Sequence, residues 1–198
     1  TYSTTDPANY LLPGEIYKKV VAIADEDDRI VFASGQMEFT GQLDTGDKRN
    51  IIMGRTVQPS LYEAFYDNAK TLKRGRAYLI DGEPLKDEVE EGDLHRYQIG
   101  IAFGVEDAFN LENGDDVILM GQSMDGIPSS LDAQVVHTFR ANSAVNDKLI
   151  KMPLKLAQDL RETEDVGTVA ILLNHRRDVP AVAAVSYTHL TLPTSVTV

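Results

Sequence analysis

The chain has 198 residues, enough for one domain or two small ones around a real core. Its formal net charge of -12 argues against nucleic-acid binding, because neutralising phosphates needs a basic face. It holds no cysteine, which excludes disulfides, thiolate zinc sites and cysteine nucleophiles.

The first predicted element is a helix over 13–26. Pro13 suits a first helical turn, and Ile16, Tyr17, Val20, Val21 and Ala24 share one face. The acidic run Asp25 to Asp28 reads as a solvated turn rather than a cation site. Residues 30–33 and 37–43 read as strands, the second alternating apolar and polar. Asp44-Thr45-Gly46-Asp47 is a turn by composition, and 50–54 a third strand. Pro59 opens a short predicted helix over 59–69. Residues 81–96 read as an acidic loop, and the run Asp87 to Asp93 lacks the spacing of a calcium loop.

Tyr97 to Ala102 reads as a strand and 103–111 as a short helix. Asn113-Gly114-Asp115 is a turn, Val117 to Met120 a strand, and Asp125-Gly126 part of a polar connection. Val135 to Phe139 forms the next strand, with loops expected over 81–96 and 121–131. Residues 147–152 lead into a helix opened by Pro153, with Leu156, Ala157 and Leu160 on its apolar side. Gly167 to Leu173 is apolar on both faces, so a central strand is expected. Interleaved strands and helices imply an α/β or α+β chain.

The chemistry-bearing residues are sparse. The sequence has no nucleophile elbow, Walker loop, His-Glu-x-x-His helix or dinucleotide glycine fingerprint. Asp115, Asp116 and Asp125 are candidate carboxylates, read here as turn residues. His95, His137, His175 and His189 are scattered. His137 reads as a partly buried strand residue with no second ligand at metal spacing. His175 follows a strand, where α/β proteins gather active sites, and would be the centre of a small hydrolase if there were one. No catalytic, cofactor-binding or metal residue is assigned.

The order of elements carries more than any single residue. Gly114-Asp115-Asp116-Val117-Ile118-Leu119 is followed by Asp125-Gly126 and Val135-Val136-His137-Thr138-Phe139. Then come Asn146-Asp147-Lys148-Leu149-Ile150-Lys151-Met152-Pro153-Leu154, Ala157-Gln158-Asp159-Leu160 and Val169-Ala170-Ile171-Leu172-Leu173. In this order, over about residues 12–180, the chain resembles the extracytoplasmic (periplasmic core) domain of ABC-transporter permeases of the MacB/LolC–LolE/FtsX type. His137 departs from the glycine usual there, and Phe103-Gly104 from the usual Leu-Ala.

The resemblance implies an α+β fold. A porter-like α/β subdomain would be built from both chain ends, 1–95 and 143–184, with a small strand-rich, Sabre-like subdomain inserted at 96–142. It implies no enzyme and no cofactor, but a domain on the periplasmic face of the bacterial cytoplasmic membrane. That domain couples cytoplasmic ATP hydrolysis to export, lipoprotein release or partner-protein control. The implied partners are a cytoplasmic ABC ATPase, reached through transmembrane segments, and an adaptor protein, a lipoprotein or a second permease subunit. A stand-alone soluble α/β binding protein is the alternative. The chain opens on Thr1, and residues 185–198 resemble translated adapter sequence, so an excised piece with a non-native tail is expected, with a real terminal β-strand as the alternative. In that case the helix begun at 178–184, with Asp178 as N-cap, would continue in the natural protein.

Overall fold

The computed structural model describes residues 11–57, 81–82, 85–86, 97–140 and 147–183. In chain order the elements are α1 (Gly14–Glu26), β1 (Ile30–Gln36), β2 (Glu38–Asp44), β3 (Arg49–Val57) and β4 (Asp81–Gly82). They continue with β5 (Tyr97–Ala102), α2 (Phe103–Phe109), β6 (Asp116–Gln122), β7 (Pro128–Phe139), β8 (Leu149–Pro153), α3 (Leu154–Arg161) and β9 (Thr168–Leu173). The fold is mixed α+β, as the sequence implies. The helix expected over 59–69, most of the acidic loop, His95, His189 and the tail lie outside the described residues. Contacts divide the chain into two compact units, Thr1–Gln36 with Glu164–Val198, and Met37–Thr163. The division expected at 95/96 and 142/143 runs through the second of these, because β5 and β7 share one hydrogen-bonded sheet with β2, β3 and β8.

The first unit joins the two ends of the chain. α1 starts after Pro13 and buries Val20 and Ala24, four residues apart on one face. Its first free N–H, on Gly14, donates to Asp165 Oδ1 at 2.9 Å, so the cap comes from the far end of the sequence. The approach leaves no room for a side chain, since a Cβ on Gly14 would lie 2.7 Å from the Glu164 carbonyl oxygen. Leu12 and Val166 exchange backbone hydrogen bonds at 2.6 and 3.0 Å. β1 and β9 pair antiparallel, with a register shift between Ile30 and Phe32. Among the described residues β9 does not take the central position expected of it. β1 is its partner among the described residues, and its side chains are half-buried or exposed. The uninterrupted apolar run reflects strand preference here, not burial on both faces. A short 3-10 turn, Arg176–Asp178, precedes helical residues 179–183, of which Val182 is buried. Asp178 thus closes that turn instead of standing alone as an N-cap.

The second unit is a closed sheet. Following the pairings from β6 through β7, β5, β8, β3 and β2 leads back to β6, and the two-residue β4 adds to β7. Closure removes the free edges that an open sheet would leave. Alternation sets the interior. In β2 and β3 every second residue turns inward, burying Leu43 and Ile52. Ile99, Ile101, Leu119, Val135, Ile150 and Met152 meet them there, all fully buried. α3 follows β8 directly and buries Leu156, Ala157 and Leu160. Tyr97 on β5 donates its hydroxyl hydrogen bond to Asp159 on that helix.

Three stretches differ from the sequence reading. β8 is a strand buried at all five residues, where only a lead into a helix was expected. Lys151 interrupts its apolar run and hides the pattern. β7 begins at Pro128, so the connection from β6 is only residues 123–127 and most of the loop expected over 121–131 is strand. Residues 81–82, expected in a loop, pair with Thr138 and His137 of β7.

Candidate interaction site

The candidate carboxylates separate along β6. Asp115 and Asp116 lie at its start, and Asp125 lies in the turn past its end. Seven strand residues span roughly 20 Å, so these groups cannot share one ion. Asp115 instead holds a turn together. Its carboxylate accepts the Glu112 N–H at 2.8 Å, and its carbonyl accepts the Val135 N–H at 2.9 Å. Gly114, at φ +100°, takes the left-handed conformation this turn needs and donates to the Val135 carbonyl at 2.7 Å. Among the described residues no group of three or more His, Asp or Glu side chains is placed to hold a metal.

A cleft of about 450 Å³ lies beside this turn, lined by Thr45, Asp47, Lys48, Asn110, Asp115 and others. Lys48 crosses to donate to the Ala108 carbonyl at 2.9 Å, near the end of α2. Asn110, at φ 58°, is the left-handed residue that stops that helix. Asp44 accepts the Gly46 N–H at 2.8 Å and pairs with Arg49. The Gly46 amide first and Arg49 second hold its carboxyl below the usual range.

His137 is buried, more completely than the strand position suggested. Its ring lies on Gly100, where a Cβ would fall 2.0 Å from Nε2. Lys151 stands on the other side of Gly100 in the sheet, with Nζ 4.0 Å from the centre of the Phe139 ring. Burial, and secondarily the Arg55 charge, lower its ammonium to about 8. These side chains pack the outer wall of the barrel. His175 is exposed at the exit of β9.

The outward face of β3, β2 and β6 is different. Ile51, Met53 and Ile118 stand exposed on it, at 55%, 36% and 40%. Gln42 lies between Ile51 and Met120 in one cross-strand row. Arg49–Asp44 and Arg55–Glu38 ion pairs flank the apolar side chains. At the far end of β6 the turn to β7 exposes Met124 and Ile127, at 43% and 58%. Sequence reasoning missed both apolar surfaces. Ile51-Ile52-Met53 reads only as part of a short strand, and nothing in it signals that Ile52 alone of the three is buried. Met124 and Ile127 stand in what looks like a polar gap. Grouped exposed apolar residues mark interaction surfaces more often than catalytic ones.

This fold is shared with two solved extracytoplasmic domains of ABC-type transporters, and the resemblance drawn from the order of elements holds at the level of fold. Among solved structures, the extracellular domain of the noncanonic ABC-type transporter YknZ from Gram-positive bacteria superposes with a TM-score of 0.55 at 12% identity, covering 94% of this chain and 87% of its own. The periplasmic region of MacB from Actinobacillus actinomycetemcomitans superposes with a TM-score of 0.57 at 12% identity, covering 87% of this chain and 73% of its own. No protein-family model and no curated protein sequence matches the chain. Among the described residues no helix is long and apolar enough to cross a membrane.

Proposed function

We propose that the chain is the extracytoplasmic domain of an ABC-transporter permease, lying at the outer face of the bacterial cytoplasmic membrane and performing no covalent chemistry. One observation carries this: a fold shared with two such domains over most of each chain. ATP would be hydrolysed by a separate cytoplasmic ATPase, joined through the permease's transmembrane segments. This domain would pass that cycle on by contact with an adaptor protein, a lipoprotein or a second permease subunit. The exposed apolar surfaces of the second unit suit such a role better than they suit catalysis.

The unit that joins both chain ends is then the porter-like part, and the closed sheet of residues 37–163 is the inserted strand-rich part. The natural locus tests the proposal. The full open reading frame should place membrane-spanning helices on both sides of this domain, with an ATPase gene beside it or fused to it. A reading frame with no membrane span would overturn it.

A further inference from the structure

Arg161, the last residue of α3, is held in an unusual way. Its carbonyl accepts the Met124 N–H at 3.0 Å, which binds the turn between β6 and β7 to the end of the helix. Its side chain is half-buried, and Nε is fully buried without a hydrogen-bond partner. Nη2 lies 3.1 Å from Met124 Sδ. A thioether is a weak acceptor and carries no charge. No ion pair among the described residues includes Arg161. A buried guanidinium N–H is ordinarily matched by an acceptor; Nε has none here, and beside it the more exposed Nη2 meets a sulfur.

We propose that Met124, Ile127 and Arg161 form a docking point for a partner protein that presents a carboxylate flanked by aliphatic side chains. Nε and Nη2 share one edge of the guanidinium, the edge that binds a carboxylate through two parallel hydrogen bonds. Met124 Sδ touches that edge. Methionine is unbranched and turns easily about three bonds, so it can yield the edge to a carboxylate and stay as apolar cover. Ile127, more than half exposed, supplies the second apolar contact. An arginine in contact with an exposed apolar side chain matches the composition of interface hot spots. A fatty acid would combine the same two chemistries, but acyl chains are held in concave apolar pockets, and Met124 and Ile127 stand out in solvent. The partner is defined by the chemistry of this end of the barrel, independently of the permease reading.

Titration of the isotope-labelled 198-residue chain with two capped peptides, acetyl-Leu-Glu-Leu-amide and acetyl-Leu-Gln-Leu-amide, tests this by NMR. The glutamate peptide should shift the Arg161 Nε–H and Met124 methyl signals saturably, and the glutamine peptide should bind roughly tenfold more weakly or not at all. Arg161→Gln should lose the difference between the peptides. Ile127→Ser, at an exposed position, should weaken the glutamate peptide while leaving the melting temperature of the chain unchanged. Equal binding of both peptides, or an unmoved Arg161 Nε–H signal, would overturn the proposal. Octanoate binding as tightly as the glutamate peptide would overturn it too, in favour of a fatty-acid site.

Discussion

Lys151 carries an ammonium group into the wall of the barrel, where its residue is 7% exposed. In an unfolded chain its ammonium titrates at 10.5, and in the fold at about 8. Between those values the unfolded chain binds a proton that the folded chain does not, so stability should rise with pH from about 8 to 10. Tyr97 acts in the opposite sense. Burial, and then its bond to Asp159, push its phenol above the usual 10.0, so the folded chain keeps a proton that the unfolded chain loses at still higher pH. Urea unfolding at stepped pH should therefore show a maximum near pH 10, and Lys151→Met should raise stability at pH 7 and remove the alkaline rise. On the acid side, hydrogen bonds from the Arg29 side chain and backbone hold Asp27 at about 2, so its share of stability is lost as pH falls from about 4 towards 2. Gly100 is the second informative position. Gly100→Ala should cost about 1–3 kcal/mol, because the new methyl meets the buried His137 ring. Adding His137→Ala should return part of that loss, and a double-mutant cycle measures the coupling. Neither effect was legible in the sequence. His137 shows only as a histidine on a strand, and its glycine partner lies 37 positions away (137 − 100).

At the scale of elements, local pattern succeeded where it was regular. α1, β2, the Gly46 turn and the Gly114 turn all lie where periodicity and turn chemistry place them. It failed where tertiary packing set the outcome. β8 is buried on both faces but carries a lysine, and nothing local announces that a lysine will be covered. β9 shows the reverse, an unbroken apolar run that ends half-exposed. The cap of α1 was also beyond reach, since Asp165 lies 151 residues from Gly14. Asp165→Ala should destabilise the chain by about 1 kcal/mol, read from the urea midpoint, with Asp165→Asn retaining most of the capping.

For the molecule as a whole, the fold was legible from the order of weak motifs, while the pairings that build it were not. Parallel pairing of β5 with β7 and of β3 with β8 closes the barrel, and such long-range pairings leave no mark in neighbouring residues. Burial predicts an order of local stability. Amide exchange should be slowest in β5 and β8 and faster in β9, and exchange followed by mass spectrometry reads this directly. Exchange as slow in β9 as in β8 would contradict that ranking. The surfaces proposed for partners were hidden because an exposed isoleucine reads in sequence like a buried one.

The pairing of β1 with β9 has a consequence for synthesis. A ribosome makes α1 and β1 before the barrel and must then make the whole barrel before β9 and Asp165 emerge. Domains generally fold as units as they leave the ribosome. Here the barrel can close first, while the amino-terminal helix and strand wait for their partners. Although made before the barrel, α1 and β1 are therefore placed after it.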